Sequence, residues 1–136
     1  MADDSENRSS MPRRVLRVLV VDDNIDVASS LAMLLRVSGH EVREAYSAES
    51  ALEAVADFTP DIAFLDLTMP DMDGHELARR LRRLPLLHNT PLVALTGYGR
   101  TGDVRRTHDA GFCAHLVKPV HPEEVDRLLV SLTKAN

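Results

Sequence analysis

Much of what would direct this chain elsewhere is missing from it. There is one cysteine, Cys113, inside an apolar run. It can form no internal disulfide, and a reducing, cytoplasmic setting is the simplest expectation. Burial within a strand is the expected role of Cys113, because free cysteine is mostly core filler. No apolar run approaches the roughly 18 residues that would suggest a membrane span. The opening MADDSENRSSMPRR has no apolar segment of the signal-peptide kind. Residues 1–14 are too poor in apolar side chains to offset the entropy of ordering them, so a disordered tail is expected there. Excess basic charge is absent as well: 16 Lys and Arg stand against 21 Asp and Glu, a net charge of -5. Direct nucleic-acid binding, which needs a basic face to release counterions, is not expected. No His or Cys cluster suggests zinc. No internal repeat is visible, and 136 residues fit one domain.

What is present is a regular alternation. VLRVLVV (Val15 to Val21), EVREAY (Glu41 to Tyr46), DIAFLD (Asp61 to Asp66), PLVALT (Pro91 to Thr96) and FCAHLVK (Phe112 to Lys118) read as strands. Between and after them lie five segments of helical character. The first carries Val27, Leu31, Leu34 and Leu35 at helical spacing, with Gly39 as its stop. Ser47 can cap the second, AESALEAVADF (Ala48 to Phe58). Gly74 precedes HELARRLRRL, GDVRRTHDAG closes at Gly111, and Pro122 opens the last. Five β-α units in strict succession predict an α/β fold, a parallel sheet with helices on both faces.

The polar residues fall where such a sheet puts its ligands, outside the carboxyl ends of the strands. The first strand ends in Asp22-Asp23, the third in Asp66, the fourth in Thr96 and the fifth in Lys118-Pro119. Two carboxylates at about 4 Å repel by about 4 kcal/mol at an effective dielectric of about 20. Three ionise together only beside strong positive charge. Lys118 supplies one unit, and a divalent cation with a taste for hard oxygen ligands, Mg²⁺, would supply two more. Carboxylate, metal, lysine and hydroxyl together suit phosphoryl transfer with Asp66 as nucleophile.

These motifs (the acidic pair, DLTMPDMDG, the strand-four threonine and the strand-five KP) resemble the response-regulator receiver domain of two-component signalling, of the chemotaxis-regulator type. The resemblance runs from about Val15 to Thr133, within a receiver domain taken as residues 15–136. It implies a flavodoxin-like three-layer sandwich with strand order 2-1-3-4-5 and five helices. It also implies that Asp66 takes a phosphoryl group from a histidine kinase or histidine phosphotransferase. Asp22, Asp23, Asp66 and the Thr68 carbonyl would ligate Mg²⁺, Thr96 and Lys118 would meet the phosphoryl group, and Lys118-Pro119 would be cis. The output would be a downstream protein docking on helix four, strand five and helix five. Thr96 and the residue three before the lysine form the family's switch; that residue is His115, where Tyr or Phe is usual. Tyr98, between Gly97 and Gly99, could stand in for the aromatic. The strand-four and strand-five segments look most like receivers attached to hybrid sensor histidine kinases.

Other signals have plainer readings. Arg79, Arg80, Arg82 and Arg83 are expected on a solvated helix face. Ala28, Ser29 and Ala32 leave small surfaces on the first helix, open either to a docking kinase or to ordinary packing. Two further classes compete with the phosphoacceptor: a Mg²⁺-dependent phosphohydrolase acting on external substrates, and a phosphate-independent binding module. DLTMP lacks a second catalytic aspartate two positions after Asp66, and every element of the acceptor site is present, so both rank below it.

Overall fold

The computed structural model describes residues 15–97 and 104–134. The expected tail, and Tyr98 with Gly99, lie outside the described residues. Strand β1 (Arg17–Val21) leads to helix α1 (Ile25–Val37), then β2 (Glu41–Ala45), α2 (Ala48–Ala54), β3 (Ile62–Asp66) and α3 (Gly74–Arg83). A short 3-10 turn (Pro85–Leu87) precedes β4 (Leu92–Thr96), α4 (Val104–Asp109), β5 (Ala114–Val117) and α5 (Pro122–Lys134). All neighbouring strands pair in parallel, in the order β2-β1-β3-β4-β5.

Alternation along the central strands builds two cores, because successive side chains point to opposite faces. Leu19, Val21, Ala63, Leu65 and Ala94 face one way and pack with Ala51, Leu77, Ala78 and Leu81 of α2 and α3. Val18, Val20, Ile62, Phe64, Val93 and Leu95 face the other way and pack with Leu31, Leu35, Val125 and Leu129 of α1 and α5. Strands β3 and β4 are buried throughout, whereas the edge strands β2 and β5 are partly exposed.

Local chemistry sets the boundaries. Asn24 caps α1 by accepting from the Val27 amide, and Ser47 caps α2 through the Ser50 amide. Gly39 ends α1 with φ of +98°, a conformation that side chains resist. Helix α2 stops at Ala54, short of the expected Phe58. Phe58 is instead buried under the guanidinium groups of Arg17 and Arg43, 4.6 and 4.9 Å from its ring centre.

Two expectations need correction, and a third, left open, is decided. Cys113 is exposed and lies just before β5 rather than in a buried strand, because it sits at the sheet edge. Its thiol donates to the Leu92 carbonyl at 3.5 Å. Arg82 is not on a solvated face. Its guanidinium donates to the carbonyls of Leu87, His88, Thr90 and Gly111, tying α3 to the turns before β4 and β5. Ala28 and Ala32 are fully buried, so they serve packing, and Ser29 donates to Glu44.

Candidate functional site

Strand ends deliver the acidic groups to one edge of the sheet. Asp22 directly follows β1 and is wholly buried. Its Oδ1 accepts from the Asn24 amide at 2.9 Å, and its Oδ2 accepts from Lys118 Nζ at 2.9 Å. Asp66 ends β3 and is 2% exposed. Its Oδ1 accepts from the Thr68 amide at 3.2 Å and lies 3.4 Å from Lys118 Nζ. The Thr68 hydroxyl also faces that oxygen, at 3.5 Å. Asp23 is exposed, yet it offers a carboxylate oxygen to the same spot: the ligand atoms of Asp22, Asp23 and Asp66 all lie within 4.8 Å of one another.

The electrostatics follow from this crowding. Burial, with the charge of Asp22 adding to it, pushes the Asp66 carboxyl up to about 6. Burial works against the charge on Lys118, but Asp22 and Asp66 outweigh it and hold the ammonium above its ordinary value. Three acidic side chains therefore face one ammonium. The donor set is all hard oxygen, on three side chains close enough to share one ion, so a divalent cation of the Mg²⁺ type fits both its chemistry and its charge deficit.

Thr96 ends β4, buried, one residue past Leu95, which pairs with Asp66 in the sheet. Its hydroxyl donates to the Leu116 carbonyl at 3.4 Å. His115 lies on β5 opposite Ala94 and is exposed. The Lys118-Pro119 bond is cis. Beside Lys118, Val27, Leu31 and Leu34 of α1 and Pro119 and Val120 line a largely apolar groove.

Several supporting residues were missed. Gly74 starts α3, and its amide donates to the Leu67 carbonyl at 3.0 Å. A Cβ there would strike the Asp66 carbonyl oxygen and come within 2.7 Å of Leu67 Cα. Asp71 accepts from the Ala48 and Glu49 amides, fixing the loop after Asp66 to the start of α2. Asp73 caps α3. The DMDG stretch itself was the available signal: two aspartates at a helix start are favoured caps.

A parallel sheet in this order, with an acidic trio and a lysine at its carboxyl edge, defines a receiver-type signalling module. Comparison with known proteins agrees: residues 18–129 match the response regulator receiver domain, and the chain belongs to that family. It is 39% identical over 112 residues to an uncharacterized 14.6 kDa protein of the sodA1 3' region of Leptolyngbya boryana, covering 82% of this chain and 86% of that one. The chemotaxis response regulator CheY4 of Vibrio cholerae superposes with a TM-score of 0.77 at 27% identity, over 90% of this chain and 100% of that one. The receiver domain of the sensor histidine kinase PA1611 from Pseudomonas aeruginosa superposes with a TM-score of 0.78 at 25% identity, over 87% of this chain and 97% of that one, and that protein holds a magnesium ion in its active site cleft. The chain spans about half the length, or less, of several other curated relatives it matches. It is a receiver domain of two-component signalling, and among the described residues no helix is long and apolar enough to cross a membrane.

Proposed function

We propose that Asp66 accepts a phosphoryl group from the phosphohistidine of a histidine kinase or histidine phosphotransferase. The observation that carries this reading is a nearly buried carboxylate with an ammonium 3.4 Å away and two further carboxylates around it. Asp22, Asp23, Asp66 and the Thr68 carbonyl would hold Mg²⁺, which when bound neutralises charge on the transferring oxygens. An Asp66 carboxylate oxygen attacks phosphorus, an O–P bond forms and the P–N bond to the imidazole breaks. The electron pair leaves with the imidazole, which stays neutral if its ring is protonated at the other nitrogen. Lys118 stays near Asp66 to pair with the phosphoryl oxygens. The apolar groove beside Lys118 gives a partner helix a surface from which to present its histidine.

Thr96 then exchanges its bond to Leu116 for one to the phosphoryl group, and His115 and the face formed by α4, β5 and α5 change for a downstream protein to read. The setting is cytoplasmic, and the chain promotes only its own phosphorylation and dephosphorylation. Incubation with acetyl phosphate tests this. Mass spectrometry of the intact chain should show one added phosphoryl group with Mg²⁺ and none with chelator. An unchanged mass under both conditions contradicts the reading.

A further inference from the structure

Among the described residues helix α4 spans six, Val104–Asp109, too few to persist as an isolated helix. Something outside it must hold it in place. Of its side chains from Arg106 to Asp109, only Thr107 is buried. Among the described residues, each hydrogen bond or ion pair from an α4 side chain to another element runs to Asp73 or His75. Thr107 Oγ1 lies 3.3 Å from His75 Nε2, and Arg106 Nη2 donates to Asp73 Oδ2 at 2.6 Å.

His75 is 3% exposed and bridges the two sides. Its Nδ1 lies 2.8 Å from Asp73 Oδ1, and its ring meets the edge of Phe112 at 90°. The carboxylate requires a proton on Nδ1, so in the neutral ring Nε2 accepts from the Thr107 hydroxyl. One chain of bonds thus runs from Thr107 through His75 to Asp73, and Arg106 joins it there.

The same two residues flank Gly74, whose backbone is seated on Asp66 and Leu67. On its other side the loop is pinned to α2 by Asp71. The backbone after Asp66 is thus in contact with the start of α3 at Gly74 and held to α2 through Asp71.

We propose that Asp73 and His75 latch α4 to the loop following Asp66, so that a change at Asp66 alters how firmly α4 is docked. The first half stands on the contacts alone, and the second rests on the phosphoacceptor reading. The latch is a positioning device, remote from the reacting atoms.

Hydrogen exchange over residues 104–109 tests both halves. Thr107→Val with Arg106→Gln removes the latch while leaving the Asp66 loop unmutated, and Thr107→Ser keeps the hydroxyl. Without acetyl phosphate, the double variant should exchange about tenfold faster across α4 than the native chain, with α5 unchanged and Thr107→Ser close to native. With Mg²⁺ and acetyl phosphate, the native chain should change its α4 exchange by about threefold or more, and the double variant should gain the same mass without that change. Native exchange in the unphosphorylated double variant overturns the latch. A full α4 response in the phosphorylated double variant overturns the coupling. No mass gain in the native chain overturns the phosphoacceptor reading and the coupling with it, while the first comparison still decides the latch.

Discussion

Lys118 donates to Asp22 Oδ2 at 2.9 Å, joining the ends of β1 and β5 across the site. The ammonium is thus closer to Asp22 than to Asp66, which it faces at 3.4 Å. Asp22 is wholly buried, so the lysine offsets a charge that water cannot reach. Lys118→Met should lower stability by about 1–3 kcal/mol through that unpaired carboxylate. Mg²⁺ should stabilise the variant more than the native chain in urea denaturation. An equal Mg²⁺ effect in both would separate the lysine from the acidic trio.

The raised Asp66 carboxyl sets a pH dependence of definite sign. Its value goes from 3.8 to about 6 on folding, chiefly by burial, so the folded chain holds this proton more tightly than the unfolded one. The stabilisation is complete below about pH 4 and is lost as pH rises through about 6. Asp66→Asn, which does not ionise, should gain stability relative to the native chain over that window. Two pKa units at about 1.4 kcal/mol each put the gain near 3 kcal/mol. Denaturation of both proteins at pH 4 and pH 7 without Mg²⁺ measures it.

Mg²⁺ binding should respond in the opposite direction. Protons on Asp66 compete with the cation, so affinity should rise as pH passes through about 6. Titration calorimetry at pH 5 and pH 7 reads this directly.

Gly74 is constrained by space. A methyl group there meets the backbone of Asp66 and Leu67, which cannot swing aside as a flexible side chain can. Gly74→Ala should cost about 1–3 kcal/mol. Because the clash falls on the acceptor residue itself, phosphorylation by acetyl phosphate should slow as well.

Arg82 should be sensitive for a different reason. Its guanidinium satisfies four carbonyls, including that of Gly111 ahead of β5. Arg82→Ala should cost about 1–3 kcal/mol, and Arg82→Lys should recover little, because a point ammonium cannot span the fork. Arg79→Ala, in an exposed pair with Glu76, should stay within about 0.5 kcal/mol of native in the same assay.

The layers of the fold were legible because buried parallel strands and one-sided helices leave strong apolar patterns. The alternation of Ile62, Ala63, Phe64 and Leu65 between the two cores follows from strand geometry alone. Strand order was not legible from periodicity and came with the family resemblance. The acidic trio and Lys118 could be placed because strand ends in a parallel sheet share an edge. The bonds of His75 to Thr107 and of Arg82 to Gly111 were not, since they join distant segments whose approach no local pattern encodes. Exposure of Cys113 likewise depends on β5 having no neighbour beyond it.

The central claim is that Asp66 itself carries the phosphoryl group. After incubation with Mg²⁺ and acetyl phosphate, borohydride reduction converts an acyl phosphate to an alcohol, which peptide mass mapping can locate. The modification should fall on Asp66 alone and be absent from Asp66→Asn. Reduction at Asp22 or Asp23, or persistence of the label in Asp66→Asn, would contradict it.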